Sequence, residues 1–230
     1  MIGNDIVDLH FIDWPPYQHV GHLERVCTSE EVRTVGEAEK PSVTLAALWA
    51  SKEAVYKLFS REVPCPFIPR LFAVRFGKPV RLAASETAIV SYGGNPTRVE
   101  LTITDEWVHA TAISPAVQVV RSKTHEIDAS SLKGRGPVPL QESEAVRSLA
   151  AELASRYCEE GVFQDFQGRI PVLKYKNGDD AAIEVSFSHH GRFAAVAMGW
   201  PIGNRRGVPS GGGFIDKTSC WEETCSTCTA

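Results

Sequence analysis

The order of hydrophobic and polar positions predicts a strand first, then helices, then a long run of antiparallel strands. Residues 1–11, MIGNDIVDLHF, are rich in Ile and Val, which is typical of a short buried strand leading into a turn. A helix is expected to begin near Thr28 or Ser29, because either residue can cap it and acids follow in its first turn. After Pro41, the run SVTLAALWASKEAVYKLFS lacks Gly and Pro and repeats apolar residues at helical spacing, so it predicts a long helix.

The rest of the chain repeats this order of helix and strands. Residues 67–120 are rich in Val, Thr and aromatic residues punctuated by Gly and Pro, which favours antiparallel strands and turns. A helical stripe over residues 140–161 is followed by further strands up to Trp200. GKPV precedes WVHATAI in the first part, and GRIPV precedes VSFSHHGRFAAVAM in the second. The pattern predicts an α+β fold with two similar helix-plus-antiparallel-sheet halves.

The same composition divides the chain into four parts. We expect a first half at 1–121, a polar Gly- and Pro-containing connector at 122–139, a second half at 140–200 and a tail at 201–230. The tail carries too little apolar sequence to repay the ordering of its backbone, so we expect it to be disordered.

Composition narrows the class of protein. Among 230 residues, 43% are hydrophobic and 23% charged, as in ordinary globular proteins, and a net charge of -4 disfavours a nucleic-acid binder. Acids at Asp5 and Asp8 stand where a signal peptide carries basic residues, and no apolar run is long enough to span a bilayer. We therefore predict a cytoplasmic protein without nucleic-acid or membrane partners. Cys220, Cys225 and Cys228 lack an obvious fourth zinc ligand, which favours free thiols.

The long helix and the first strand carry the first candidate chemistry. Trp49, Glu53 and Lys57 are spaced four apart and lie on one stripe, either as a solvated helix-stabilising pair or as part of a site. Asp5 lies in an Ile- and Val-rich strand, where a carboxylate is costly to bury without a cation or donors. Mg²⁺ usually takes one or two protein carboxylates, which fits Asp5 and Glu53. Asp8 points to the other side of the strand and is a structural or supporting acid.

A second polar cluster, SFSHHGR, follows an apolar strand near the end of the second half. His189 and His190 are adjacent on a strand and point in opposite directions, so a donor set for phosphate that includes Ser188 fits better than a joint metal site. Lys78 and Arg169 lie in predicted turns, where each either reaches a phosphate or faces water.

Four motifs together resemble those of the 4'-phosphopantetheinyl transferases. GNDIVDL at 3–9 resembles the N-terminal metal-binding motif of holo-acyl-carrier-protein synthases, and WASKEAVYK at 49–57 resembles the W-x-x-K-E-x-x-x-K helix of the superfamily. SFSHHGRFAAVA at 186–197 resembles the serine-histidine strand that helps to hold coenzyme A, and GRIP at 168–171 resembles the turn before it.

This resemblance implies a reaction and a set of site residues. The 4'-phosphopantetheine group of coenzyme A would pass to a serine of an apo acyl or peptidyl carrier protein in a Mg²⁺-dependent step that releases 3',5'-ADP. The implied residues are the metal ligands Asp5 and Glu53, the catalytic Glu53 and Lys57, and the coenzyme A contacts Lys52, Arg169, Ser188 and His189. Glu53 or a metal-bound water would take the serine proton.

The motif order refines the resemblance. Surfactin-type members, with two halves in one chain, place the coenzyme A motifs before the acidic strand, whereas here the order is that of the small trimeric synthases. Since this chain is about twice as long as those, the resemblance implies a pseudo-dimeric fold in which the second half replaces a neighbouring subunit. Val7 stands where surfactin-type members carry a further acid, so a water is expected at that metal position.

Two other functions stay open at this point. One is a catalytically silent relative that binds coenzyme A or a carrier protein with the same fold, which the intact acids and lysine disfavour. The other is a different Mg²⁺-dependent phosphotransfer or hydrolysis enzyme, for which the chain offers no P-loop or kinase motif.

Overall fold

A computed structural model describes residues 1–11, 20–127, 138–158, 162–168 and 170–203. Four predicted features lie outside the described residues: the turn after the first strand, Arg169, most of the connector, and the tail from residue 204 with its three cysteines. Within the described part, no helix combines the length and the apolar character needed to cross a membrane.

The helices and strands of the described residues form two successive blocks along the chain. The helices are α1 (Val20–Val26), α2 (Ser29–Gly36), α3 (Pro41–Phe59) and α4 (Val138–Tyr157), with a short 3-10 turn at Pro69–Leu71. The strands are β1 (Ile2–Asp8), β2 (Ala73–Phe76), β3 (Ala84–Tyr92), β4 (Asn95–Ile103), β5 (Trp107–Ile113), β6 (Val117–Glu126), β7 (Val162–Gln167), β8 (Ile170–Tyr175), β9 (Glu184–His190) and β10 (Phe193–Pro201).

The first block is an antiparallel sheet packed against helix α3. Its strand order is β1-β5-β4-β3-β2, so the N-terminal strand forms one edge. The predicted long helix is confirmed: it starts with Pro41, whose missing N–H suits a first helical turn, and it buries most of its residues against the sheet. All seven residues of β1 are buried, because α3 covers the strand and the second block closes over it.

Helix α2 begins at the predicted position. The Thr28 side chain accepts a hydrogen bond from the Glu31 backbone N–H, and the Glu31 carboxylate accepts one from the Thr28 N–H at 2.7 Å, which forms a capping box. Since the second carboxylate oxygen of Glu31 accepts from the Val74 N–H at 2.7 Å, this cap also ties α2 to strand β2.

The second block contains a three-stranded sheet of order β6-β10-β9, the hairpin β7-β8 and helix α4. All neighbouring strands are antiparallel, so the predicted α+β class with antiparallel sheets is confirmed. The apolar stripe predicted for α4 packs on β10, with Val146, Leu149 and Leu153 in the same core as Trp200.

Strand β6 corrects the expected boundary between the halves. Its register with β10 runs from Val117 opposite Pro201 to Glu126 opposite Phe193. This strand crosses the boundary expected after residue 121 and occupies the start of the expected connector. Composition could not reveal this, because the residues that favour a strand are the same whichever sheet the strand joins.

Side chains of β9 join the two blocks at the edge of the first sheet. The backbone N–H groups on this edge of β1 find side-chain acceptors in place of a paired strand. The bonds run from Asn4 N to Ser186 Oγ at 2.9 Å, from Ile6 N to Ser188 Oγ at 3.0 Å and from Asp8 N to His190 Nδ1 at 3.0 Å. The regular two-residue step sets β9 in register beside β1.

Candidate active site

The site is built around the acidic edge strand and one stripe of helix α3. The Lys57 ammonium donates to Asp5 Oδ1 at 2.8 Å and to the Asn4 carbonyl at 3.1 Å. Glu53 lies one turn earlier, with its carboxylate 3.8 Å from the Lys57 ammonium, and accepts a hydrogen bond from the Trp49 side chain. The predicted stripe is therefore not a solvated surface pair, because it faces a buried carboxylate.

The two carboxylates are close enough to disturb each other. Burial and the neighbouring Asp5 carboxylate raise the pKa of Glu53 to about 7, although Lys57 acts in the opposite direction. A divalent cation relieves this repulsion, and carboxylate oxygens are the ligands that Mg²⁺ prefers. Since the described residues hold no cluster of three or more His, Cys, Asp or Glu, a cation here would draw on two protein carboxylates with water and substrate.

His109 lies on β5 beneath this acid pair. It is wholly buried, and burial lowers its pKa to about 4, with Lys57 acting in the same direction and Asp5 against it. Its Nε2 lies 3.2 Å from the Asn4 side-chain amide nitrogen. The imidazole is therefore neutral at pH 7 and adds no positive charge to the site.

Strand β9 brings two neighbouring side chains to different sides of the site. The Ser188 hydroxyl is buried and donates to Asp5 Oδ1 at 2.8 Å. His189 points the other way and lines a cleft, whereas His190 faces β1. The predicted opposite orientation of the two histidines is confirmed.

Asp8 is held by its own cation at the far end of β1. The Arg192 side chain donates to both of its carboxylate oxygens, at 3.0 and 3.2 Å, and the backbone N–H groups of Arg192 and His10 donate as well. Burial alone would raise the pKa of Asp8, but the hydrogen bonds from Arg192 outweigh it and lower that pKa. Asp8 is thus a structural acid, as predicted.

A cleft of about 530 Å³ opens between helix α3 and the second block. Lys57 and Arg61 line it from one side, and Arg147 and His189 from the other. Phe166 adds an aromatic wall, and the Arg147 guanidinium lies 5.2 Å from the centre of its ring. A cleft of this size and with these cationic walls suits a phosphorylated ligand of cofactor size.

Five of the predicted site residues lie together in the structure. Asp5, Glu53, Lys57, Ser188 and His189 converge at this cleft or directly behind it. Arg169 lies outside the described residues, although the next residue, Ile170, lines the cleft.

Lys52 is in a different place from the other site residues. It is 1% exposed, and its ammonium donates to Glu31 at 2.8 Å, to the Pro69 carbonyl at 3.0 Å and to the Phe72 carbonyl at 2.7 Å. All three ammonium hydrogens are used within the fold, so the expected coenzyme A contact at Lys52 is corrected to a structural role. The neighbouring Glu53 faces the site because successive helical residues point about 100° apart.

Sequence reasoning missed two arginines of the cleft. Arg61 follows Lys57 at helical spacing, which was an available signal, and it donates to Glu184 at 2.8 Å and to the Val185 carbonyl. This pair ties the end of α3 to β9. Arg147 gives no such signal, because it is an exposed position on α4 that reaches the cleft only through the packing of the two blocks.

Fold and site together define a protein with an acid pair and a lysine at the junction of two antiparallel sheets, beside a cationic cleft. Residues 1–111 match the sequence model of the 4'-phosphopantetheinyl transferase superfamily. The matched segment contains β1, α3 and nearly all of the first sheet, so the resemblance is confirmed over this part of the chain. The match supports a transferase of the phosphopantetheinyl transferase kind. A comparison with curated proteins found no match.

Proposed function

We propose that this protein transfers the 4'-phosphopantetheine group of coenzyme A to a serine of an apo acyl or peptidyl carrier protein and releases 3',5'-ADP. The observation that carries the proposal is the meeting of Asp5, Glu53 and Lys57 with strand β9 beside the cationic cleft, which Lys57 lines. An ion pair with only a structural role would require neither the cleft nor a second carboxylate, Glu53, whose charged form is disfavoured by its surroundings.

Asp5 and Glu53 are the residues that would hold Mg²⁺. The ion, when bound, supplies Lewis-acid stabilisation of the charge that develops on the pyrophosphate oxygens. Their closeness and the raised pKa of Glu53 support this assignment, because the pair favours a cation between its members. We assign no protein ligand at Val7, whose apolar side chain cannot bind a metal.

Lys57 and the cleft residues bind and orient the substrate. In the reaction, the carrier serine oxygen forms a bond to the phosphorus nearer to pantetheine, and the pyrophosphate P–O bond to the adenosine part breaks. Lys57 neutralises negative charge on the leaving phosphoadenosine phosphate, and His189 and Arg169 contact coenzyme A. Glu53 would accept the serine proton.

The proposal extends to the architecture and location of the protein. The two blocks would form a pseudo-dimer of the holo-acyl-carrier-protein synthase type, with the boundary before Val117 because β6 pairs with β10. The second block would supply the coenzyme A contacts that a neighbouring subunit supplies in the trimeric synthases, and the reaction would occur in the cytoplasm.

An intact-mass assay tests the proposal directly. The purified protein with Mg²⁺, coenzyme A and a panel of apo carrier proteins should add the mass of phosphopantetheine to at least one carrier. The same carrier with its acceptor Ser replaced by Ala should gain no mass. Retained coenzyme A binding without a mass gain on any carrier would instead identify a catalytically silent relative.

A further inference from the structure

Strand β9 lies between the cleft and the first block. Phe187 and His189 line the cleft, whereas the hydroxyls of Ser186 and Ser188, residues that are 3% and 4% exposed, accept hydrogen bonds from strand β1. Ser186 also lines the cleft, but Ser188 is not among its lining residues. Ser188 therefore reaches the site from behind the acid pair and does not line the cavity itself.

The hydroxyl of Ser188 has both of its hydrogen-bonding functions engaged within the protein. It accepts from the Ile6 N–H at 3.0 Å and donates to Asp5 Oδ1 at 2.8 Å. A serine hydroxyl has a single proton, so donation to a coenzyme A phosphate would require the bond to Asp5 to break. A buried hydrogen bond to a charged group is stronger than one between neutral groups, which opposes that exchange.

We infer that Ser188 is a positioning residue that sets the orientation of the Asp5 carboxylate for the metal, and does not contact coenzyme A. This inference rests on the proposed function. It assigns the second block a role beyond substrate binding, because a residue 183 positions away in the chain holds the metal ligand of the first block. Hydrogen bonds to ligating carboxylates orient the ligand, and their loss typically weakens metal binding about 10- to 100-fold.

Ser186 provides a matched control on the same strand. It makes the equivalent bond to β1, accepting from the Asn4 N–H at 2.9 Å, and it is buried to the same degree. Its hydroxyl has no described bond to Asp5. Ser186→Ala therefore removes one hydrogen bond between β1 and β9 but leaves the bond from Ser188 to the Asp5 carboxylate intact. Ser188→Ala should lose more thermal stability than Ser186→Ala, because it also removes the buried hydrogen bond to Asp5.

Mn²⁺ binding to the whole protein, measured from the electron paramagnetic resonance signal of the free ion, tests the inference without turnover. Ser188→Ala should bind Mn²⁺ at least roughly 10-fold more weakly than the wild type, and Ser186→Ala should bind it like the wild type. If Ser188→Ala folds poorly, Ser188→Cys keeps a similar volume with only a weak thiol donor and should show the same weakening.

Coenzyme A binding, measured by calorimetry at saturating metal, separates the two roles of Ser188. We expect the same coenzyme A affinity in Ser188→Ala and in the wild type. Weaker coenzyme A binding with unchanged Mn²⁺ binding would overturn the inference, as would equal Mn²⁺ binding in both alanine variants or no Mn²⁺ binding by the wild type. A selective Mn²⁺ defect in a protein that modifies no carrier would sustain the inference and reject the proposed transfer reaction.

Discussion

The backbone of Gly3 in β1 lies directly against the carbonyl oxygen of Ala54 in α3. A Cβ atom at position 3 would overlap this oxygen and lie 2.8 Å from the Leu58 nitrogen. Only glycine permits this approach, and it brings Asp5, two residues further along the strand, to the same helix that carries Glu53 and Lys57. The spacing of the acid pair thus depends on a residue without a side chain.

Gly3→Ala should destabilise the protein and impair the site together. The atoms in conflict belong to the helix backbone and cannot rotate away, so we expect a loss of about 1–3 kcal/mol in the free energy of unfolding, measured with urea. Transfer activity should fall as well, because α3 must move away from β1. Gly77→Ala is the matched control, since no atom lies within 4 Å of its added Cβ. Equal stabilities for these two variants would contradict the prediction.

Glu53→Gln should abolish transfer without unfolding the protein. The substitution preserves size and removes a charge that would ligate the metal, so we expect a loss of activity of at least about 100-fold, based on the usual contribution of general acid–base groups. Intact-mass kinetics with a responsive carrier measures this loss, and circular dichroism checks the fold.

The neighbouring acid Glu62 supplies the control for that variant. It is exposed, beyond the end of α3, so Glu62→Gln should retain the wild-type rate. A Glu53→Gln rate equal to that of Glu62→Gln would remove Glu53 from the mechanism.

The raised pKa of Glu53 predicts a pH dependence of stability in the absence of metal. Its pKa rises from an ordinary value near 4.5 to about 7 in the fold, so the native state binds the extra proton. The contribution of Glu53 to the free energy of unfolding is fully present below pH 4.5 and is lost as the pH rises through 7. His109, with its pKa lowered to about 4, acts oppositely, because its stability is present above 6.5 and is lost as the pH falls toward 4.

Comparison of the wild type with Glu53→Gln isolates the Glu53 contribution. The melting temperature of Glu53→Gln relative to the wild type should rise between pH 5 and pH 8, since glutamine carries no charge to bury. Mg²⁺ should stabilise the wild type more at pH 8 than at pH 5, because protons compete for the same carboxylate. Parallel melting curves across this pH range would contradict the prediction.

Lys52→Met should test the structural role of the buried lysine. Removal of the ammonium leaves the Glu31 carboxylate, 2% exposed in its side chain, without its cation. Breaking a buried pair in this way typically costs 3–5 kcal/mol, which a urea titration would detect. Lys40→Met, at an exposed position without a side-chain cap, should leave the unfolding free energy unchanged. A stable Lys52→Met protein with weakened coenzyme A binding would contradict the structural role and indicate that Lys52 contacts coenzyme A.

The spacing of residues along single elements could be read from the sequence. The strand holding Asp5, the helix holding Glu53 and Lys57 and the opposite directions of His189 and His190 follow from the periods of strand and helix, and the structure agrees with each. The boundary after residue 121 was wrong because pairing partners are not local: β6 could have extended the first sheet, and its neighbour is set by tertiary packing.

By itself, the sequence determined which side chains share a strand or a helix face, and therefore that a carboxylate and a lysine would project together from α3. Only the tertiary structure decided what those faces meet. It brought Asp5 to Lys57 and the Ser188 hydroxyl to Asp5, and it buried Lys52 on Glu31. The physical reason is that local periodicity sets the direction of a side chain, whereas its partner depends on the packing of segments that, for Asp5 and Ser188, lie 183 residues apart.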